Sequence, residues 1–289
     1  MTTRKALDPT LVLSLGAGVQ SSTMALMATK GVYDIPKPDF AVFADTQAEP
    51  QSVYDHLDWL EGELDFEVVR SSYGNLKEHL FDPRYSNHNE SGFIEIPAFA
   101  DKGGGEVSPS QRQCTSHYKI KVIEQVIRKR VLANTGRRQL NKNTPVIQMI
   151  GISTDEAHRM KDNKHGALTN TYPLIESGLS RTDCLLWFNA HYPGRTLPRS
   201  ACTFCPYHSD VEWANLLRNE PAGFEEAVEV DEGIRRQGKE QVYPYYLHRS
   251  CKPLVELKEM FLSIKPDESG QLSLRNDNFG EECEGMCGV

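Results

Sequence analysis

The cysteines are the residues of this chain whose type and spacing most directly indicate chemistry. Cys202 and Cys205 form a CxxC pair in a segment that continues with Pro206. Two thiolates at this spacing can bind one metal ion or one iron–sulfur cluster. The chain contains seven cysteines, and an odd number argues against a framework of disulfides. We therefore expect metal binding or thiol chemistry at this pair.

Two further cysteines, Cys283 and Cys287, lie in a polar, glycine-rich C-terminal segment. This segment has too little apolar content to fold alone, and its glycines would let it bend into a cleft. Three neighbouring glutamates would raise the pKa of either thiol, so an attacking thiolate would need a nearby cation. We expect this tail to close over the active site. The alternative is a frayed end with incidental thiols.

A glycine loop at residues 14–23, with the sequence SLGAGVQSST, is the second candidate site. It follows a short apolar run and opens a helical pattern. Small residues let backbone N–H groups approach an anion, and the helix N-terminus adds partial positive charge. The loop matches neither the dinucleotide GxGxxG motif nor the GK[ST] ending of a P-loop. By itself it is also compatible with an ordinary turn between a strand and a helix.

Apolar runs and helical spacing predict the elements that position these residues. Two strand–helix units in succession predict a parallel sheet with helices packed on it. Asp45 and Thr46 follow one predicted strand, and Glu156 and Arg159 follow another, at the carboxyl edge where open α/β sheets bind ligands. The predicted strands are residues 10–15, 40–43, 66–69 and 146–152, and the first two helices are residues 21–29 and 52–64.

The sequence therefore predicts an α/β fold, an open and mainly parallel sheet with helices on both faces. We expect residues 1–200 to form this α/β domain, with the glycine loop as its binding loop. Residues 201–289 would form a helical and irregular region that carries the CxxC pair and the cysteine-bearing tail. Between residues 82 and 113 no element is predicted, and we interpret this stretch as a lid or a partner-contact loop.

Taken together, these motifs resemble the PAPS-reductase branch of the PP-loop ATP pyrophosphatases. The resemblance spans about two-thirds of the chain. PP-loops carry Ser, Lys and Asp where this chain has Gly16, Val19 and Gln20, which leaves the nucleotide open between ATP and a sulfated adenylate. The matching segments, in family order, are residues 16–21 (GAGVQS), 45–46 (DT), 112–115 (RQCT) with Lys119, 151–156 (GISTDE) with Arg159, 172–174 (YPL) with 180–187, and 202–205 (CTFC).

The resemblance implies roles for individual residues. It places Cys114 beside the CxxC pair, as a third thiolate ligand of a [4Fe–4S] cluster, although iron–sulfur APS reductases have two adjacent cysteines where this chain has Gln113 and Cys114. Zinc, with His208 as fourth ligand, and thiols without a metal are the alternatives. The implied nucleotide-binding residues are Ser14, Gly16, Gly18, Ser21, Ser22, Asp45, Thr46, Gly151, Glu156 and Arg159.

Three functions follow from these expectations. In the first, ATP adenylates an acceptor oxygen and sulfur displaces AMP, with Mg²⁺ as a further expected cofactor. In the second, APS or PAPS is reduced to sulfite, with Cys283 or Cys287 as the nucleophile. In the third, the chain is a nucleotide-binding module stabilised by a metal, without catalysis. The expected partners are an adenine nucleotide, a sulfur donor or thiol reductant, a nucleic-acid or small-molecule acceptor, and a second copy in a homodimer.

The composition of the chain bears on its partners and its location in the cell. The net charge is −8, whereas a generic nucleic-acid binder is more often basic. No stretch approaches the roughly 20 apolar residues that span a bilayer, and the N-terminus has no apolar core of a signal peptide. We therefore expect a cytoplasmic protein without a membrane partner.

Overall fold

The computed structural model of the protein describes residues 8–85, 95–101, 107–109, 113–141, 144–163, 166–236 and 243–265. Its central feature is a sheet of five parallel strands. These are β1 (Thr10–Ser14), β2 (Phe40–Asp45), β3 (Glu67–Ser72), β6 (Val146–Ile150) and β7 (Leu168–Thr171). The order across the sheet is β3-β2-β1-β6-β7. Every neighbouring pair is parallel, which confirms the α/β class.

Helices occupy most of the remaining described chain. The α-helices are α1 (Val19–Lys30), α2 (Gln51–Glu63), α3 (Leu76–Phe81), α4 (Lys121–Thr135), α5 (Pro173–Glu176), α6 (Arg181–His191), α7 (Asp210–Asn219), α8 (Pro221–Arg236) and α9 (Lys258–Ser263). A π-helical turn at Thr115–Ile120 leads into α4, and 3₁₀ turns occupy Thr154–Arg159 and Leu254–Leu257.

The two faces of the parallel sheet carry separate cores. Successive residues of a strand point to opposite faces. Leu13 of β1 accordingly belongs to a core with residues of α1, α2 and α6, whereas its neighbour Val12 belongs to a core with residues of α4. Helices therefore cover both faces, as the sequence predicted.

A third core surrounds the C-terminal helices. Trp213, Phe224 and Phe261, from α7, α8 and α9, are completely buried in it. Leu76 and Tyr118, from the preceding part of the chain, belong to the same core. The boundary expected near residue 200 stays a prediction, and this core joins residues from both sides of it.

A small antiparallel sheet takes two of its three strands from residues 82–113, the stretch in which no element was predicted. It consists of β4 (Phe99–Asp101) and β5 (Val107–Pro109) from that stretch and β8 (Tyr245–Tyr246) from further along the chain, in the order β5-β4-β8. Strands of two or three residues are too short to show alternation in sequence, so this part of the prediction was wrong. The role of residues 82–113 as a lid or contact loop stays a prediction.

Capping residues fix the ends of the helices nearest the candidate site. Ser180 and Asp183 form a capping box at the start of α6, and Ser209 and Glu212 form one at the start of α7. Each box satisfies backbone N–H groups that the first helical turn leaves open. In contrast, no side chain caps α1, and this helix begins at the glycine loop.

Candidate functional site

The carboxyl ends of the parallel strands define the edge at which the candidate residues gather. From β1 the chain continues to β2 and β3 on one side of the sheet, whereas β6 and β7 lie on the other side. The loops after β1 and β6 therefore flank the crevice in which open α/β sheets bind ligands. The glycine loop lies on one side of this crevice, and Thr154–Arg159 lies on the other.

The glycine loop is buried and ends in the first turn of α1. Gly18 is the N-cap residue. Ala17 has a left-handed backbone, with a φ of 57°, a conformation that is strained for a residue with a Cβ atom. The first N–H groups of an α-helix have no partner inside the helix. Since no side chain caps α1, these N–H groups and the helix dipole favour an anion at this point.

Three polar side-chain atoms in this loop are buried without a hydrogen-bond partner among the described residues. They are Ser14 Oγ, Gln20 Oε1 and Thr23 Oγ1. Leaving a buried polar atom unpaired costs about 1–3 kcal/mol. A ligand that supplied hydrogen bonds here would recover that free energy, so these three atoms are donors and acceptors that a ligand of the loop can use.

The two serines that follow have partners and shape the loop. Ser21 Oγ accepts a hydrogen bond from the Gly16 N–H at 3.2 Å. Ser22 Oγ lies 3.0 Å from His56 Nε2 of α2. Burial, with a smaller effect of Arg195, lowers the pKa of His56 to about 4, so its ring is neutral at pH 7. Ser21 and Ser22 thus hold the loop against its neighbours, and the phosphate contact expected of them stays a prediction.

Gly151 is at the end of β6, where there is no room for a side chain. A Cβ atom at this position would lie 2.9 Å from the backbone Cα and N of Ser21. Only a glycine lets the end of β6 approach the first turn of α1 so closely. The structure therefore brings Gly151 and the glycine loop into direct contact.

A buried polar chain continues from this contact to the 3₁₀ turn. Gln20 Nε2 donates to Glu156 Oε2 at 3.1 Å and lies 3.4 Å from Ser153 Oγ. Arg159 pairs with the same carboxylate, at 2.8 Å. The side chains of Arg159 and Glu156 are only 6% and 1% exposed. The two residues therefore form a buried ion pair rather than an exposed surface pair, and the hydrogen bond from Gln20 connects this pair to the glycine loop.

Asp45 is at the end of β2, where it orders the following turn. Its Oδ1 accepts hydrogen bonds from the Gln47 N–H at 2.7 Å and from the Tyr54 hydroxyl at 2.8 Å. Burial, followed by the hydrogen bond to Asp45, raises the pKa of Tyr54 and keeps that hydroxyl a donor. Gln47 has a φ of 56°, so this turn is strained as the glycine loop is.

Thr46 joins the sheet edge to the CxxC loop. Its Oγ1 lies 3.3 Å from Cys202 Sγ. Just beyond this contact, the Thr203 N–H donates to the Ala48 carbonyl at 2.8 Å. The structure therefore places a predicted nucleotide residue against a predicted metal ligand.

Glu49 and Lys119 form a buried ion pair beside this contact. Lys119 Nζ lies 3.4 Å from Glu49 Oε1, and Cys202 Sγ lies 3.9 Å from the same oxygen. Burial, and secondly the Glu49 carboxylate, raises the pKa of Cys202 well above its usual value, whereas Lys119 acts in the opposite direction. In this arrangement Cys202 is a protonated thiol at neutral pH. A bound cation would reverse that preference.

The other two candidate ligands flank the same region. Cys114 and Cys202 pack against one core, and the Cys205 N–H donates to the Cys202 carbonyl at 2.9 Å. His208 Nε2 lies 3.0 Å from the same carbonyl. Three thiols are a donor set that soft metals prefer. Within the described ranges, however, no three His, Cys, Asp or Glu side chains converge on a position that would hold a metal ion, so the three-thiolate centre stays a prediction.

Some predicted residues lie outside the described part of the chain. These are Cys283, Cys287 and the Arg112 of the matching motif. Conversely, the structure adds Glu49 and Gln20, which the sequence did not assign to the site. Glu49 had a signal in the sequence, since it is an acidic residue in the short turn that follows the buried strand β2. Gln20 had one as well, since it lies within the glycine loop at a position where PP-loops carry an aspartate, but its type did not indicate a partner.

Comparisons of the chain with family models, curated proteins and solved structures found no match in any of the three. Among the described helices none is both long and apolar enough to cross a membrane.

Proposed function

We propose that this protein is a cytoplasmic sulfur-transfer enzyme that uses an adenine nucleotide, with the nucleotide at the β1/β6 edge and the sulfur chemistry beside the CxxC loop. The single observation that carries the proposal is the 3.3 Å contact between Thr46 Oγ1 and Cys202 Sγ. It joins the edge where a nucleotide is expected to a loop whose cysteine spacing suits sulfur or metal chemistry.

The phosphate end of the nucleotide is assigned to the glycine loop. The open N–H groups of α1 and the unpaired Ser14 and Thr23 hydroxyls supply donors. Arg159 lies on the other side of the crevice, buried and paired with Glu156 at 2.8 Å, and the proposal gives its guanidinium a second contact, with the phosphate. In the proposal the adenosine end lies toward Asp45 and Thr46, because the carboxyl end of β2 is next to the glycine loop.

In the proposed reaction a sulfur atom replaces a carbonyl oxygen of the acceptor, and no atom changes its oxidation state. A carbonyl oxygen of the acceptor attacks the α-phosphorus of ATP. The bond from this phosphorus to the oxygen that bridges the α- and β-phosphates breaks, and pyrophosphate leaves. Hydrosulfide then attacks the carbon that bears the adenylated oxygen. AMP departs with that oxygen, and the acceptor becomes a thiocarbonyl. The protein contributes positioning and charge stabilisation, and Mg²⁺ would balance the charge of the leaving pyrophosphate.

A metal centre is the second part of the proposal. Cys114, Cys202 and Cys205 would hold a [4Fe–4S] cluster, with zinc as the alternative. Such a cluster, when bound through three cysteines, offers one open iron for sulfur. The buried Glu49–Lys119 pair lies beside this site, with Glu49 Oε1 3.9 Å from Cys202 Sγ.

Reduction of APS or PAPS is the alternative activity. In that reaction a cysteine thiolate attacks the sulfate sulfur and displaces the adenylate. A second thiol then attacks the resulting S-sulfocysteine, so that sulfite leaves and a disulfide takes up the two-electron oxidation. Cys283 or Cys287 would be the first nucleophile, and a thiol reductant would restore both thiols.

Two assays separate these functions. ATP–pyrophosphate exchange is measured with tRNA, DNA or a nucleoside mixture as acceptor in separate arms, and sulfite release is measured from APS and PAPS with dithiothreitol. We expect exchange with at least one acceptor, lost in Gly18→Val and retained in Gly62→Val, a matched change at an open helical position. Sulfite release without exchange selects the reductase. The absence of both activities selects a binding module and contradicts the proposal.

A further inference from the structure

The glycine loop has no charged side chain of its own. Residues 14–23, with the sequence SLGAGVQSST, contain neither a cation nor a carboxylate. Across the crevice, the guanidinium of Arg159 is already paired with Glu156 at 2.8 Å. The phosphate end of a nucleotide carries several negative charges, and it would find hydrogen-bond donors at this loop but no counter-charge from the loop itself.

His56 of α2 is a titratable side chain in direct contact with the loop. Its Nε2 lies 3.0 Å from the Oγ of Ser22, near the start of α1, and both residues are buried. A hydroxyl can accept a hydrogen bond from an imidazole and donate one to an anion at the same time. Ser22 can therefore connect the ring of His56 to a phosphate bound at the loop.

The surroundings of the His56 ring oppose its protonation. Trp59 of α2 and Phe188 of α6 pack beside it, with ring centroids 5.4 Å and 6.5 Å away, and neither carries a charge. Within the described part of the chain, the one charged group that acts on the ring is Arg195. Burial, and secondly this cation, lowers the pKa of His56 to about 4. A negative charge beyond Ser22 would act in the opposite direction.

We propose that His56 supplies the counter-charge of the glycine loop: its ring takes up a proton from solvent when an anion binds there. The imidazolium then donates from Nε2 to Ser22, and the Ser22 hydroxyl donates to the anion. The inference rests on the proposed function, since it takes the phosphate end of the nucleotide to lie at this loop. His56 is a positioning residue, and it takes no part in the transfer of sulfur.

Coulomb's law gives the size of the effect. A phosphate oxygen on the far side of the Ser22 hydroxyl would lie about 6 Å from the ring. At an effective dielectric constant of about 20, one unit of negative charge at that distance raises the proton affinity of the ring about 100-fold. The complex therefore binds the proton more tightly than the free protein does, and the affinity for an anion must increase as the pH falls below neutrality.

Calorimetric titration of the full chain with ATP, APS and inorganic pyrophosphate, at about pH 7.5 and about pH 5.5, tests the inference. Over this range we expect the affinity of the wild type to rise about 4- to 10-fold more than that of His56→Gln. The glutamine keeps an N–H donor for Ser22 but takes up no proton. Protonation of the anions themselves is common to both proteins and cancels in the comparison. His191→Gln, at an exposed position of α6, should keep the wild-type dependence.

Nuclear magnetic resonance of the histidine rings measures the same proton uptake in the unsubstituted protein, so the test does not depend on how well a variant folds. The ring with the lowest pKa should protonate at a higher pH once pyrophosphate is added. A titration of that ring unchanged by bound pyrophosphate overturns the inference.

The outcomes separate the inference from the proposed function. If the anions bind with the same pH dependence in His56→Gln and in the wild type, the inference is overturned and the proposed function stands. If pyrophosphate binds with the expected difference but ATP and APS do not bind, the counter-charge is retained and the nucleotide of the proposed function is removed. No affinity for any of the three anions removes both.

Discussion

The hydroxyl of Thr46 and the thiol of Cys202 lie 3.3 Å apart, although 155 residues separate them in the chain. The Thr203 N–H donates to the Ala48 carbonyl next to this contact, so the CxxC loop is attached to the turn after β2 by backbone and side chains alike. Glu49 and Lys119 enclose the thiol from a further direction.

Gly18→Val tests the anion site at the start of α1. The φ of −94° and ψ of −171° at this residue are open to any side chain, so the protein should fold. The added side chain should prevent close approach of a phosphate to the backbone N–H groups, and we expect the affinity for ATP, APS and PAPS to fall about 10- to 100-fold. Isothermal calorimetry measures it, with Gly62→Val as the control. Wild-type affinity in Gly18→Val would remove the phosphate assignment.

Gly151→Ala tests the close approach of β6 to α1. The new Cβ atom would lie 2.9 Å from the Ser21 backbone, so one of the two segments must shift. We expect the free energy of unfolding to fall by about 1–3 kcal/mol and nucleotide affinity to fall with it. Gly166→Ala, where a Cβ atom meets nothing within 4 Å, is the control in urea denaturation. Equal stability of the two variants would contradict the packing argument.

Cys114→Ser tests the three-thiolate centre. If Cys114, Cys202 and Cys205 share one metal or cluster, loss of any one thiolate should remove most of the bound metal and reduce stability. Iron, sulfide and zinc are measured in protein purified without oxygen, together with the ultraviolet–visible spectrum. Cys251→Ser changes a cysteine outside the CxxC region and should keep the wild-type content. Full metal content in Cys114→Ser rejects a three-ligand site.

The lowered pKa of His56 leads us to expect that the protein loses stability in acid. Its pKa in the folded protein is about 4, mainly because it is buried, against an ordinary value of 6.5. The unfolded chain therefore binds a proton more readily, and the stabilisation present above pH 6.5 is lost as the pH falls toward 4. Between pH 7 and pH 5 this histidine should cost about 2 kcal/mol of unfolding free energy.

His56→Gln isolates this effect. Between pH 7 and pH 5 the free energy of unfolding should fall by about 2 kcal/mol less in the variant than in the wild type. At pH 7 the variant is itself less stable, because contacts with Trp59 and Phe188 are altered. Urea unfolding at both pH values measures it. His158→Gln, an exposed position, should show the wild-type difference. An unchanged difference in His56→Gln would show that His56 is not the group responsible.

The sequence by itself determined the parallel α/β class and the elements that carry the glycine loop. Strand β1, the loop and helix α1 are adjacent in the chain, so an apolar run followed by small residues and a helical pattern was enough to predict them. The same local signals placed Asp45, Thr46, Glu156 and Arg159 just after strands. Short or polar strands such as β4, β5 and β7 were missed, because their few residues show no alternation.

Only the tertiary structure decided which of these residues meet. The strand order places β1 between β2 and β6, and this order brings Gly151 against Ser21 and Gln20 against Glu156. The contact of Thr46 with Cys202 and the buried pair of Glu49 with Lys119 depend in the same way on segments far apart in the chain. Periodicity and propensity describe neighbours along the backbone, whereas these contacts form because packing of the three cores fixes where distant loops come together.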